Sequence, residues 1–347
     1  MLMRMNRHET IIIGGGPIGL EIAASLQIAG NDCIVLDSGA IGSTIDRLFP
    51  PNTRFFSSPE RLEIAGVACS TVEQEKITRE EYLCYLRQVV DTVGIDIRTF
   101  HHVETIHRSD DGFDLEARTR SGACRRFRTD RLVLATGGMA RVRTLGIDGE
   151  SLPHVRHELG DPHQYHGRRV LIVGGRNSAC EAAIRCWRSG AHVHLCHRNE
   201  VVNERVKYWI RPELIALMEE GRITEHAQTT LERITEDDVQ LVSAGTGETT
   251  RLEVDDVLLM IGYEHDPSMM HHLGVRTDAA NGAPLFDIDT MGTNVDNLHV
   301  AGTATAGTQD RFRVYIENCH IHAERIASAI TGTDSPEASN GRLLEES

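Results

Sequence analysis

The sequence predicts an α/β protein built from two strand–glycine turn–helix–strand units, and three observations carry that expectation. An apolar run breaks into glycines at "IIIGGGPIGLEIA" (11–23) and resumes as a helix. The same pattern returns 160 residues later, without a gap, at "RVLIVGGRNSACEAAIRCWRSGAHVHLCHRN" (169–199). Two more apolar strands end in small residues, "DRLVLATGG" (130–138) and "DNLHVAGTATAG" (296–307). Strands alternating with helices in this way form a sheet covered on both faces, a three-layer arrangement.

In the first unit a strand (10–13) meets the turn, a helix runs from Pro17 to Ala29, Gly30 closes it, and a second strand (33–36) ends at Asp37. This context is that of a Rossmann-like dinucleotide fold. Gly14 permits the tight turn, Gly16 lets the backbone approach a pyrophosphate, and Gly19 lets the helix pack on the sheet. Pro17 opens the helix without losing a needed hydrogen bond. The helix N-terminus presents free N–H groups and partial positive charge to phosphates. Asp37 stands where a carboxylate accepts bonds from ribose hydroxyls, which fits either NAD or FAD.

In the second copy Gly14 falls on Gly174, Glu21 on Glu181, Gly30 on Gly190 and Asp37 on His197. The acid at the strand end is replaced by His197-Arg198, and a guanidinium pairs well with a 2′-phosphate that a carboxylate would repel. The second site is therefore assigned to NADPH in preference to NADH. Its expected contacts are Gly174, Gly175, Asn177, Ser178, Ala179, His197, Arg198 and Lys207. Arg176 in place of the middle glycine is a departure, and Ala179 in place of the third is tolerated.

Length and composition bound the remaining possibilities. The 347 residues suffice for two domains, and 40% hydrophobic with 25% charged residues is a soluble globular mix. A formal charge of −15 argues against a nucleic-acid partner. Lys76 and Lys207 are the two lysines among 36 basic residues. No apolar stretch reaches the roughly 18 to 20 residues of a membrane span. Arg4 and Arg7 precede an apolar segment, but its glycines and Glu21 break it, so the chain is read as cytoplasmic. Eight cysteines (33, 69, 84, 124, 180, 186, 196, 319) contain no C-x-x-C pair and read as small buried hydrophobes.

These stretches together resemble the thioredoxin reductase-like branch of the pyridine nucleotide–disulfide oxidoreductases, and within it the bacillithiol disulfide (bacilliredoxin) reductase family of the YpdA type. Besides the glycine loops, the likeness rests on "FPPNTRFFSSPERLEIAGVA" (49–68), "VGGRNSACEAA" (173–183), "YWIRPEL" (208–214), "MIGYEHDP" (260–267) and "VYIENCHIHAERIA" (314–327). It spans roughly residues 8 to 332. The resemblance implies a discontinuous FAD domain, 8–149 with 266–332, and an inserted NADPH domain, 150–265, flanked by the turn-rich "GIDGESLPH" and "GYEHDPSMM". Residues 333–347 are polar without periodicity and are expected to form a disordered tail.

By the same resemblance the A-T-G and the late A-G-T strand ends close around FAD, so the first site is assigned to FAD. Its expected contacts are Gly14, Gly16, Pro17, Ile18, Gly19, Asp37, Ser38, Phe56, Thr136, Gly137, Gly302 and Thr303. Thr303 takes the place of an aspartate and keeps a hydroxyl for the ribityl chain. A helix from about Val314 to Ile330 is expected to aim its N-terminus, near Tyr315, at the flavin's N1–C2=O edge.

The resemblance implies a glycine-loop cysteine in disulfide-reducing members at the position where this chain has Ile18, which has no redox chemistry. Thioredoxin reductases carry a C-x-x-C near the start of the NADPH domain, and the matching "HELGDPHQYHGRR" has no cysteine. Hydride transfer from NADPH to flavin survives these losses; the acceptor is what Ile18 leaves open. By the resemblance, which has a histidine at this position, His322 is a catalytic candidate, and no other catalytic residue is assigned.

His192 and His194 on a strand, and Cys319, His320 and His322 at the last helix, lack a third and fourth ligand at familiar spacing, so no metal is expected. Cys180 at the second helix start is read as packing, like its counterpart Leu20. The preferred reading is an FAD-dependent, NADPH-oxidising reductase of an unidentified small-molecule or small redox-protein acceptor, a low-molecular-weight thiol disulfide among the candidates, and it is expected to be a homo-oligomer. The alternatives are a flavin monooxygenase, whose F-x-G-x-x-x-H signature is not visible, and a flavin- or NADP-binding sensor without turnover.

Overall fold

The computed structural model describes residues 6–73, 75–311 and 313–333. Apart from Thr333, the expected tail lies outside the described residues. Two compact units form: one joins the residues up to Arg141 with those from Tyr263 onward, and the other is Val142–Gly262.

The first unit is organised by a seven-stranded sheet. Its central strand, Asn6–Ile13, pairs in parallel with Cys33–Leu36 on one side and with Cys124–Leu134 on the other. Leu298–Val300 adds to Cys124–Leu134 in parallel, while Gly112–Thr119 and His101–Ser109 extend the sheet antiparallel. The first strand begins four residues earlier than the expected start at Thr10. Asn6, Arg7 and His8 are polar and carry no apolar pattern, but pairing with Phe127, Arg128 and Thr129 holds them extended.

Both faces of this sheet are buried, which explains the unbroken isoleucine run. Ile12, Val35 and Val133 face a core shared with the helices Pro17–Ile28 and His320–Thr331. Ile11, Ile13, Ile34, Leu36, Leu132 and Leu134 face the opposite core. Burying each such side chain contributes about 1.5–3 kcal/mol.

The last helix departs from expectation. Instead of one helix from Val314 to Ile330, a short 3-10 turn at Ile316–Asn318 precedes an α-helix at His320–Thr331. Tyr315 is extended, and the Asn318 side chain accepts from its N–H (2.8 Å) while donating to the Arg313 carbonyl (2.7 Å). Those bonds tighten the turn, and the α-helix starts at His320 instead of Val314.

In the second unit Arg169–Val173 lies central in a parallel sheet, between His192–Cys196 and Asp256–Leu259, with Ile223–His226 and Val155–Arg156 at the edges. The helix Asn177–Arg188 follows the second glycine loop. A separate antiparallel sheet is made by Thr229–Ile234, Asp238–Ser243 and Thr249–Glu253. Among the described residues, no helix is long and apolar enough to cross a membrane.

The two glycines of the first loop should respond differently to a methyl group. A Cβ on Gly19 would lie 1.9 Å from the Gly14 carbonyl oxygen, whereas one on Gly16 meets nothing within 4 Å. Gly19→Ala is expected to cost about 3 kcal/mol or more, and Gly16→Ala less than about 0.5 kcal/mol, in urea unfolding. Equal losses for the two variants would contradict this packing.

Candidate functional site

In the first unit Ile13 stands level with Leu36 and Leu134, and Leu134 with Val300. Gly14, Asp37, Ala135 and Ala301 therefore leave the sheet side by side at its carboxyl edge, where open α/β sheets bind ligands. Gly14 has φ +115°, and a Cβ on it would lie 2.3 Å from the Ala135 carbonyl oxygen. Glycine is required there by conformation and by space.

The loop fits a pyrophosphate on two observations. Gly16 faces open space, and it caps the Pro17–Ile28 helix without a side-chain bond, leaving the first amides uncapped. Asp37 is buried and already engaged by the protein. Its Oδ2 accepts from Gly15 N–H (2.6 Å), and its Oδ1 accepts from Gly39 N–H (2.7 Å) and the Ser43 hydroxyl (2.9 Å). It thus shapes the loop first, and any ribose bond must use its remaining lone pairs. Ser38 beside it is exposed, and Phe56 is half-buried with its carbonyl accepting from the Lys76 ammonium.

The two small-residue strand ends meet. Thr303 Oγ1 accepts from Gly138 N–H (3.0 Å), one residue past Thr136-Gly137. Ile18 is buried, its side-chain carbons 3.5–3.7 Å from where a Cβ on Gly302 would stand. Gly302 N–H donates to His322 Nδ1 (3.1 Å). The first loop, the late strand end and the last helix are thus joined around Gly302.

Three histidines near these elements have contrasting states. Burial, with the charges of Arg325 and His320, lowers His322 to about 4, so it is neutral and carries its proton on Nε2. For His320, burial lowers the pKa, but the Glu21 carboxylate (2.8 Å from Nδ1) and the Arg61 carbonyl (3.0 Å from Nε2) outweigh it and raise it. Burial raises Glu21 despite that partner. His265 was not singled out from the sequence; it is buried, its Nδ1 is 3.3 Å from the Gly137 carbonyl oxygen, and burial lowers its pKa. A sequence separation of 128 between these partners leaves no local signal.

In the second unit Val173 is level with Cys196 and Leu259, and Cys196 with His226. Gly174 (φ +143°) approaches the Met260 carbonyl, where a Cβ would lie at 2.5 Å, and Ala179 is fully buried against it. The helix following this loop also lacks a side-chain cap, and Arg176 and Ser178 are exposed. Asn177 Oδ1 accepts from Lys207 N–H (2.9 Å), tying Lys207 to the helix start, with its ammonium 5.8 Å from the Trp209 ring centre. Arg198 is exposed. His197 is buried, its Nε2 2.8 Å from Glu225 Oε1, so it does not project as a phosphate ligand. Glu225 was missed because only tertiary pairing brings it to His197.

Among the described residues, no group of three or more His, Cys, Asp or Glu side chains is placed to hold a metal. All eight cysteines are free; burial pushes Cys33, Cys180, Cys186, Cys196 and Cys319 up to about 12 and Cys69 to about 11.

A family model described as pyridine nucleotide-disulphide oxidoreductase matches residues 11–302. The chain belongs to the pyridine nucleotide-disulphide oxidoreductase family. This oxidoreductase is 34% identical over 327 residues to bacilliredoxin reductase Bdr of Bacillus subtilis (strain 168), across 94% of this chain and 98% of that protein. The structure of bacillithiol disulfide reductase Bdr (YpdA) from Bacillus cereus superposes with a TM-score of 0.89 at 33% identity, covering 95% of this chain and 100% of that one. Thioredoxin reductase of T. acidophilum shares the fold, with a TM-score of 0.73 at 19% identity over 94% of this chain and 98% of that one. As a family member the oxidoreductase is an enzyme, a flavoprotein served by a nicotinamide nucleotide.

His322 makes stability depend on pH. Its folded pKa of about 4 lies below the ordinary 6.5, so between those values the unfolded chain binds more protons. Its contribution is full above pH 6.5 and is lost as pH falls toward 4. His322→Asn, which keeps an acceptor for Gly302 N–H, is expected to flatten the acid-side fall in Tm across that window. An unchanged slope would contradict the neutral assignment.

Proposed function

We propose that this chain is an FAD-dependent reductase that takes hydride from NADPH and delivers two electrons directly to a small acceptor, with a low-molecular-weight disulfide as the first candidate. FAD is assigned to the first unit and NADPH to the second. The observation that carries the direct route is Ile18, a buried aliphatic side chain at the loop position where the family resemblance implies a thiol. The cysteines elsewhere support it: none is paired, and in six of the eight burial disfavours the thiolate that a relay requires. The substrate class follows from relatives named for reducing bacilliredoxin and bacillithiol disulfide. The overall reaction balances as NADPH + H⁺ + RSSR → NADP⁺ + 2 RSH.

Flavin, when bound, supplies acceptance of a hydride and its release as two electrons. The chain's own groups bind and orient. Gly16 and the uncapped helix amides receive the pyrophosphate, and Thr303 offers a hydroxyl at the strand end. Ile18 against Gly302 keeps water out of the loop's inner side. His322 holds a proton at Nε2 while its Nδ1 fixes the ring to Gly302.

The test is an anaerobic NADPH titration followed by a panel of disulfides, quinones and dyes. The expected protein is yellow, bleaches with NADPH, and keeps its acceptor turnover within about twofold after thiol alkylation. In an Ile18→Cys variant, alkylation is expected to remove any added disulfide reductase activity. Loss of the parent's turnover on alkylation would refute the direct route, and a colourless protein that cannot take up FAD would refute the flavin assignment.

A further inference from the structure

We propose that His197 is a positioning residue for nucleotide choice: it holds the Glu225 carboxylate turned in and bonded, so that Arg198 alone meets the 2′-phosphate. This rests on the assignment of NADPH to the second unit. His197 occupies the strand-end place that in the first unit belongs to Asp37, yet its side chain is 1% exposed and cannot itself contact a phosphate. Its ring nitrogens face two acceptors, with Nδ1 3.1 Å from the Asn199 carbonyl oxygen and Nε2 2.8 Å from Glu225 Oε1. A proton on Nε2 lets the buried ring donate to the carboxylate and hold it in place.

The surrounding backbone fixes this pair. His197 N–H donates to the His226 carbonyl (3.1 Å), Thr229 N–H to the His197 carbonyl (3.0 Å), and Gln228 N–H to the same Asn199 carbonyl (2.9 Å). The turn rests on the glycine loop, since a Cβ on Gly175 would lie 3.2 Å from His197 Cβ and 3.4 Å from Asn199 Nδ2. Glu225 sits on the neighbouring strand, level with Leu195, and its side chain is 31% exposed. Without His197 a carboxylate freed of this bond would stand beside the ribose end of the site. It would oppose a 2′-phosphate and accept from a free 2′-hydroxyl, as strand-end acids do in NAD sites. The histidine thus masks an acid supplied by the next strand, while the exposed guanidinium of Arg198 is left to pair with phosphate.

The experiment measures binding of 2′,5′-ADP and of 5′-AMP to the FAD-loaded protein by calorimetry, alongside NADPH and NADH in flavin-reduction kinetics. His197→Ala is expected to weaken 2′,5′-ADP about tenfold or more while leaving 5′-AMP within about twofold. Adding Glu225→Gln to it is expected to restore 2′,5′-ADP to within about threefold of the parent, with the NADPH/NADH preference following in parallel. Glu225→Gln alone, which remains informative should His197→Ala not fold, is expected to keep or strengthen 2′,5′-ADP binding. Equal weakening of both ligands by His197→Ala, no restoration in the double variant, or weaker 2′,5′-ADP binding in Glu225→Gln would overturn the proposal. A parent that binds 2′,5′-ADP no better than 5′-AMP would instead remove the NADPH assignment on which it stands.

Discussion

The carbonyl of Gly14 lies 1.9 Å from where a side chain on Gly19 would begin, so a hydrogen at that position lets the first helix stand this close to the first strand. That approach aims the helix N-terminus at the carboxyl edge of the sheet and leaves Gly16 facing open space. It also packs Ile18 against Gly302, a residue nearly 300 positions away in the chain. The second unit meets the same demand with Ala179, whose methyl group is accommodated beside Gly174. One steric condition thus recurs in both units, with a methyl group's more latitude in the second.

Around these loops, polar groups are placed where burial and partners decide their charge. His320 and His322 are two residues apart on one helix, yet Glu21 favours the charged ring of the first while burial keeps the second neutral. Glu21 belongs to the first helix and Arg61 to the later Pro59–Arg61 turn, so the His320 ring ties three distant parts of the first unit together. Removing one member of such a pair would leave the other buried without compensation. Asp37 shows the same economy in another form, spending its oxygens on Gly15, Gly39 and Ser43 and thereby setting the loop that a ligand meets.

Much of the fold was legible because its signals are local. The glycine spacing, Pro17, the apolar run at 10–13 and the strand ending at Leu36 each encode an element within a few residues. The in-register repeat at 169–199 exposed the second unit in the same way. Errors arose where local pattern and tertiary bonding part company. The first strand reaches back to Asn6 because a neighbour pairs with it. The last helix waits until His320 because the Asn318 side chain closes a tighter turn before it. At the site, Thr303 and Thr136-Gly137 could be named from their strand-end motifs. His265 and Glu225 could not, since their partners lie 128 and 28 residues away.

The sequence by itself determined the α/β class, the two nucleotide-fold units and the absence of a thiol at position 18, because each depends on residue identity at short spacing. The tertiary structure decided what those residues touch. It buried His197 against Glu225, where the sequence alone suggested an NADPH contact, and it turned Asp37 toward its own loop. Side-chain direction follows from which strand lies alongside and how closely, and that is a property of the assembled sheet, not of any one segment within it.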